Sequence, residues 1–145
     1  MTRSKAPLAM MEQMVMLLVF ALAAALCLQA FVKSDEMSKR GEARDRAVTL
    51  CQNAAELIRQ SGGNFNKVAE QLDLEFGQGS TMYRDYDENW EPLPLNEKGA
   101  YTLSISGDYD TIKGLGKASV SLWSEDFGVL FELPVAWQEE VRAHG

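Results

Sequence analysis

The feature that most constrains this chain is an uncharged apolar run near its N-terminus. From Met14 to Val32, 19 consecutive residues carry no charge, and Gln29 is the only polar side chain among them. As a helix rising about 1.5 Å per residue, the run would be roughly 28 Å long, close to the ~30 Å hydrocarbon core of a bilayer. The run therefore predicts a transmembrane helix, which we place within residues 10–33.

The rest of the chain has the size and charge of one small acidic domain. The 145 residues carry a net charge of −7, and because Arg3, Lys5 and Glu12 together contribute +1, the remainder carries −8. An acidic surface repels nucleic acid and anionic headgroups, so we expect no nucleic-acid partner. The predicted organisation is a short basic leader or cytoplasmic tail over residues 1–9, the membrane helix, and a soluble domain over residues 34–145.

The apolar run favours a retained membrane helix over a cleaved secretory signal. It is longer than the ~7–15-residue core of a signal peptide, and no small-x-small cleavage site follows it. Basic residues between Lys33 and Arg46 would by the positive-inside rule keep the C-terminal domain in the cytoplasm. However, these residues alternate with acidic ones, and an N-terminal anchor can carry a large domain across a membrane. Charge alone leaves both orientations open.

A second pattern covers the first thirty residues. A short basic segment, MTRSKAP, precedes Leu8, and Glu12 stands at the fifth position counted from Leu8, at the entrance to the apolar run. This pattern resembles the class III signal region of type IV pilins and type II secretion pseudopilins. The resemblance implies leader cleavage between Pro7 and Leu8. The family has glycine where Pro7 stands and commonly phenylalanine where Leu8 stands, so cleavage does not follow from the resemblance alone.

The resemblance implies a non-enzymatic structural subunit with a single-pass membrane helix and an extracytoplasmic C-terminal domain. Such a subunit is stored in the membrane and assembles through its N-terminal helix into a pilus or secretion pseudopilus. Its partners would be membrane lipid, other pilin-like subunits and an assembly machinery. In the family the glutamate meets the N-terminal amine of a neighbouring subunit and sets the register, a role that would fall on Glu12.

Alternatives to this interpretation come from the residues themselves. Glu12 can equally be an interfacial carboxylate that reaches for water, because a carboxylate at the edge of a membrane helix is costly unless it is paired or hydrated. The whole chain can likewise be a monomeric, membrane-tethered extracytoplasmic binding module. Both alternatives retain the transmembrane helix. They differ from the pilin-like interpretation because neither requires copies of the chain to assemble.

The helical pattern continues beyond the apolar run. No proline occurs between Lys33 and Ser61, and apolar positions from Ala43 to Ile58 recur at steps of three and four residues. This predicts one helix from Met10 to about Ser61, ended by Gly62 and Gly63. Asn64 is placed to cap a short second helix over residues 65–72.

Beyond residue 80 the apolar pattern changes to a period of two, which is typical of strands. Thr81–Tyr86 and Trp90–Leu93 read as a hairpin around a polar turn, and further strands are expected near residues 101–106, 118–122 and 129–137. An antiparallel sheet of three to four strands within residues 81–137 needs a cover on its apolar face. The amphipathic half of the long helix would supply it, giving an α+β, pilin-like fold.

No catalytic constellation is found in the sequence, and no cofactor is expected. The only histidine, His144, is next to the C-terminus. Cys27 and Cys51 would lie about 36 Å apart on one helix, beyond the ~7 Å limit for a disulfide. We therefore predict that the protein is not an enzyme and has no internal disulfide.

Two weaker patterns lie in the sheet region. Asp85, Asp87 and Asn89 match the first three ligand positions of a calcium loop, but Trp90 replaces its glycine and Asn96 its final glutamate. A solvated turn is the favoured interpretation, with no metal. Tryptophan and tyrosine side chains on strands usually pack in the core, with a carbohydrate or peptide surface as the alternative. Trp123 points away from the core unless a bulge intervenes.

Overall fold

A computed structural model describes residues 5–108 and 114–139 of the chain. These residues form two helices, α1 (Ala6–Gln60) and α2 (Phe65–Leu72), followed by five strands. The strands are β1 (Glu75–Phe76), β2 (Thr81–Tyr86), β3 (Tyr101–Asp108), β4 (Leu115–Ser124) and β5 (Gly128–Gln138). Arg3 and His144 lie outside the described residues.

Helix α1 begins and ends where the chain supplies helix signals. Pro7 stands in its first turn, where a residue without an N–H is tolerated. At the other end Gly62 and Gly63 have φ values of 59° and 79°, and the Gly63 N–H donates to the Ile58 carbonyl oxygen at 3.0 Å. The helix covers the predicted range and starts somewhat earlier than Met10. Gly41, within α1, is the last residue of the first of two compact units, Met1–Gly41 and Glu42–Gly145.

Helix α2 has the predicted bounds and the predicted cap. The side-chain oxygen of Asn64 accepts a hydrogen bond from the Lys67 backbone N–H at 3.3 Å, which satisfies one of the free donors of the first turn. The helix ends at Asp73, which adopts a left-handed conformation with a φ of 52°.

The five strands form one antiparallel sheet in the order β1-β2-β3-β4-β5. Each strand pairs with the next along the chain, and Leu103 of β3 lies opposite Arg84 of β2 and Leu122 of β4. Alternate residues along the strands are buried, including Met82, Ile105 and Val120. The period-two pattern of the sequence therefore corresponds to one covered face and one open face.

The C-terminal part of α1 covers the sheet within the second unit. Its buried positions are mostly small and form the predicted stripe: Ala43, Ala47, Cys51, Ala54, Ala55 and Ile58. Small side chains let a helix backbone approach a sheet closely, and these residues share one apolar core with the sheet and with Val68 of α2. The predicted α+β fold, a long N-terminal helix packed on an antiparallel sheet, is confirmed.

Two details of the sheet differ from the expectation. The sheet has five strands instead of three to four, because the two-residue strand β1 pairs with β2 through Glu75–Tyr83 and Phe76–Met82. The predicted hairpin between Thr81–Tyr86 and Trp90–Leu93 is much shorter than expected. The two segments pair through one antiparallel bridge, between Tyr86 and Pro92, and through the hydrogen bond from the Leu93 N–H to the Asp85 carbonyl oxygen at 3.0 Å.

The hydrogen bonds within the Asp87–Pro92 segment explain why the hairpin is so short. One carboxylate oxygen of Asp87 accepts hydrogen bonds from the backbone N–H groups of Asn89 and Glu91, both at 2.8 Å, which folds the segment into a tight loop. Trp90 has a φ of 65° and stacks on Tyr101 with ring centroids 3.9 Å apart. The loop therefore folds over the edge of the apolar face and does not extend as a strand.

Candidate functional site: the exposed apolar surface of helix α1

An exposed apolar surface covers α1 from Leu8 to Val32, and we call it the apolar helix surface. The exposed fractions of Leu8, Phe20 and Phe31 are 75%, 73% and 78%. The other large members are Met10, Met11, Met14, Val15, Met16, Leu17, Leu18, Val19, Leu22, Leu26, Leu28 and Val32. Contiguous exposed apolar patches of more than a few hundred Å² mark contacts with membranes or proteins. This surface needs lipid or another protein to cover it.

The uncharged part of this surface, from Met14 to Val32, is long enough to cross a bilayer. Among residues 5–108 and 114–139, α1 is the one helix long and apolar enough to span a membrane by length and composition, a property shared by anchors and N-terminal signal sequences. Exposed ion pairs begin directly beyond it. Lys33 lies 3.4 Å from the Glu36 carboxylate, and Lys39 lies 2.8 Å from that of Asp35. These pairs contribute little to stability, but they define the polar end of the surface.

The three residues of the predicted cleavage and register site lie together at the N-terminal end of this surface. Pro7 and Leu8 are in the first turn of α1, and Glu12 is exposed one turn further on. Residues four apart lie on the same side of a helix, with Cβ atoms about 5–6 Å apart. The Glu12 carboxylate is therefore close to the position that a new N-terminus at Leu8 would occupy.

The two cysteines are free and lie in contrasting surroundings. Cys27 is exposed within the apolar helix surface, whereas Cys51 is buried between α1 and the sheet. Burial raises the pKa of the Cys51 thiol to about 11, so its reactive thiolate is scarce at neutral pH. Cys27 is thus the one readily labelled thiol of the chain, which makes it a chemical probe of the helix surface.

The calcium candidates have protein partners in the structure. Asp85 accepts a hydrogen bond from the Thr102 hydroxyl, and Asp87 accepts the two backbone N–H groups of its own loop. Asn89 is exposed at the loop tip. Among the described residues, no group of three or more His, Cys, Asp or Glu side chains is placed to hold a metal ion.

Arg84 is a buried charged residue on the helix-facing side of β2, and it was not predicted as a site residue. Its Nη1 atom donates to the backbone carbonyl and to the carboxylate of Asp73, at 2.6 and 2.7 Å. The Arg84 side chain is 10% exposed and that of Asp73 is 75% exposed. The pair ties the end of α2 to the sheet. The sequence does contain a signal for this position. Met82, Arg84 and Tyr86 alternate at a period of two along β2, which places Arg84 on the apolar face with its two neighbours.

Comparisons of the chain with protein-family models, characterised proteins and solved structures find no match.

Proposed function

We propose that the protein is a structural, non-enzymatic subunit of a pilin-like or pseudopilin-like assembly, held in the membrane by α1 and joined to other copies through the same helix. The observation that carries the proposal is the apolar helix surface from Leu8 to Val32, exposed over its whole length on a helix whose other end covers an antiparallel sheet. In this proposal the membrane covers the surface before assembly, and neighbouring helices cover it afterwards. The C-terminal domain lies outside the cytoplasm.

Packing between copies would use the small residues of the surface. Ala21, Ala24 and Ala25 lie within one side of α1 at about 100° per residue, with Leu28 beside them. In lipid there is no hydrophobic force between helices, so close van der Waals contact at small residues supplies the association. The opposite side of the same helix carries Ala23 and Ala30, which are equally small and provide matched controls.

Glu12 would set the register between copies. A carboxylate at the end of a membrane helix is stabilised by a positive partner, and an amine at a cleaved Leu8 supplies one. The amine of the same chain lies only one turn away, so pairing within a copy competes with pairing between copies. Register setting therefore requires that neighbouring helices bring their own amine closer, or in better geometry, than this local partner.

The proposal is tested by cysteine crosslinking in the native membrane. In a Cys27→Ser background, single cysteines replace Ala24 and Ala25 on one side, and Ala23 and Ala30 on the other. Copper-catalysed oxidation should give strong dimers at the first pair and weak dimers at the second. Cys51 is buried and should not contribute. Equal yields at all four positions would indicate random collision and favour the alternative, a monomeric membrane-tethered binding module.

Two further measurements test the role of the N-terminus. Mass spectrometry of the membrane-extracted protein should show a mature chain that begins at Leu8, and Pro7→Gly should increase the cleaved fraction. Glu12→Gln should reduce the crosslinking of the Ala24 cysteine variant, because it removes the charge that pairs with the amine. A chain that begins near Phe31 would contradict both the anchor and the assembly role.

A further inference from the structure

The face of the sheet that points away from α1 carries small hydroxyl side chains at its centre. Thr102, Ser104 and Ser106 of β3 lie opposite Trp123, Ser121 and Ser119 of β4. None of these residues belongs to the apolar core. These small side chains form a floor on the open face of the sheet. They leave space above it, between the larger side chains at its borders.

Two aromatic side chains stand at the borders of this floor. Trp123 of β4 is 45% exposed, an unusual fraction for the largest side chain of a sheet. Tyr83 is on β2, on the other side of β3, and its hydroxyl donates to the Glu75 carboxylate at 2.9 Å, which holds the ring in place. Strands lie about 4.8 Å apart, so the two side chains are separated by roughly 10 Å sideways. Tyr83 lies opposite Ser104 and Trp123 opposite Thr102, an offset of two residues that adds about 7 Å lengthwise and makes the total separation about 12 Å.

Both rings line one groove, which we call the outer groove. It has a volume of about 520 Å³, and its floor includes Thr102. Its polar lining is provided by Asp85, Asn96, Glu97, Lys98 and Glu125. The volume lies in the ~300–1,000 Å³ range of small-ligand sites, and a few polar groups beside aromatic rings are the usual composition of such sites.

We infer that the outer groove binds a neutral sugar of trisaccharide size, with Trp123 and Tyr83 packing on the apolar faces of its two terminal rings. The separation of about 12 Å is too long for two directly linked sugar rings, whose centres lie about 5 Å apart, and is close to the roughly 10 Å between the first and third rings of a trisaccharide. The sugar hydroxyl groups can donate to Asp85 and Glu97 and accept from Asn96 and Lys98. Three carboxylates against one ammonium group make the groove negative, which disfavours acidic sugars and nucleic acid. This inference does not depend on whether copies of the chain assemble.

The local geometry supports a site that exists before the ligand arrives. The Thr102 hydroxyl, on the floor of the groove, donates to the Asp85 carboxylate and orients it. The loop that carries Asn96 is held in place because the Asn96 backbone N–H donates to the Glu75 carboxylate at 2.8 Å. Glu75 therefore holds Tyr83 and the Asn96 loop together. Such preorganisation lowers the entropy lost on binding.

Binding is tested with the full chain in a detergent that has no sugar headgroup, such as an amine oxide. Cellotriose, maltotriose and N,N′,N″-triacetylchitotriose are titrated separately and followed by saturation-transfer NMR. At least one should bind saturably at millimolar concentrations. Trp123→Ala should weaken that binding about tenfold or more, since it removes a stacking surface. Phe76→Ala, which removes another exposed aromatic ring outside the groove, should leave it unchanged.

Three results would overturn the inference: no binding of any of the three sugars, equal binding by wild type and Trp123→Ala, or equal weakening by Phe76→Ala. Selective binding of a lysine-rich peptide, without sugar binding, would also reject it and assign the groove to a protein partner. Trp123→Phe keeps an aromatic ring and should lose less affinity than Trp123→Ala. Matching thermal unfolding curves of the variants would show that the loss does not come from unfolding.

Discussion

The loop between α1 and α2 contains two adjacent glycines with similar backbone conformations and different surroundings. Both have a positive φ, 59° at Gly62 and 79° at Gly63. A Cβ atom at Gly62 would meet nothing within 4 Å, whereas one at Gly63 would overlap the indole ring of Trp137. Trp137 is buried and packs edge-on against Phe65, with ring centroids 5.6 Å apart. Alanine at each glycine therefore separates backbone strain from steric overlap.

The expected magnitudes follow from these two effects. A left-handed conformation costs a residue with a Cβ about 1–2 kcal/mol, and both variants carry that cost. Only Gly63→Ala adds the overlap, and an overpacked core typically loses ~1–3 kcal/mol. The ring is also in close contact with Gly116, because a Cβ there would overlap the same indole atoms. We expect the free energy of unfolding to fall by about 1 kcal/mol for Gly62→Ala and about 3 kcal/mol for Gly63→Ala.

The assay is thermal unfolding of the full chain in detergent, followed by near-ultraviolet circular dichroism, which reports the packing of the buried tryptophan. For a domain of this size, about 4–8 °C of Tm corresponds to each kcal/mol, so the two variants should differ by roughly 8–16 °C. In a Trp137→Leu background the smaller side chain relieves the overlap, and the difference between the two glycine variants should shrink. Equal destabilisation of the two variants in the wild-type background would refute the reasoning.

Three further predictions concern the core and its edge. Because the pKa of the Cys51 thiol is raised from 9.0 to about 11, the folded state keeps a proton that the unfolded state releases. The free energy of unfolding should therefore be constant below about pH 9 and fall between about pH 9 and 11. Urea unfolding curves recorded over a pH series measure this fall, and Cys51→Ala should make it smaller. Asp73→Asn removes the negative charge beside buried Arg84 but keeps a side-chain oxygen that can accept from it, and should lower the unfolding free energy by about 1 kcal/mol. A larger effect would contradict the exposed position of the Asp73 carboxylate. Ala54→Leu should cost about 1–3 kcal/mol in the same assay, whereas Gln52→Leu on the exposed side of α1 should stay within about 0.5 kcal/mol.

The sequence predicted the helices well because their signals are local. The end of α1 depends on Gly62 and Gly63, and the start of α2 depends on Asn64, so each boundary is determined by residues within one turn of it. Strands β3, β4 and β5 were predicted near their observed positions because each has three or more alternating apolar residues. Strand β1 was missed because two residues are too few to show a period.

The features that the sequence did not predict depend on pairing between distant segments. Trp90–Leu93 contains apolar residues in strand-like order, yet the side chain of Asp87 folds this segment into a loop. The outer groove exists because the register places Thr102 between Asp85 and Trp123, three residues from three different strands. The pairing of β4 with β5 shifts between Leu122 and Trp123, and Trp123 keeps its outward direction. No local pattern contains that information.

Alanine has two contrasting roles along α1, and the contrast bears on what the exposed half of the helix is for. Ala43, Ala47 and Ala54 are buried at 0–3% exposure, where the absence of a large side chain lets the helix lie close to the sheet. Ala24 and Ala25 are equally small, but they are exposed and flanked by large apolar side chains instead of charged ones. Small residues in the middle of a lipid-facing helix contribute little to lipid contact and favour the close approach of another helix. The second half of α1 packs against the sheet of its own chain, and the small exposed residues of the first half support the proposal that another helix packs there.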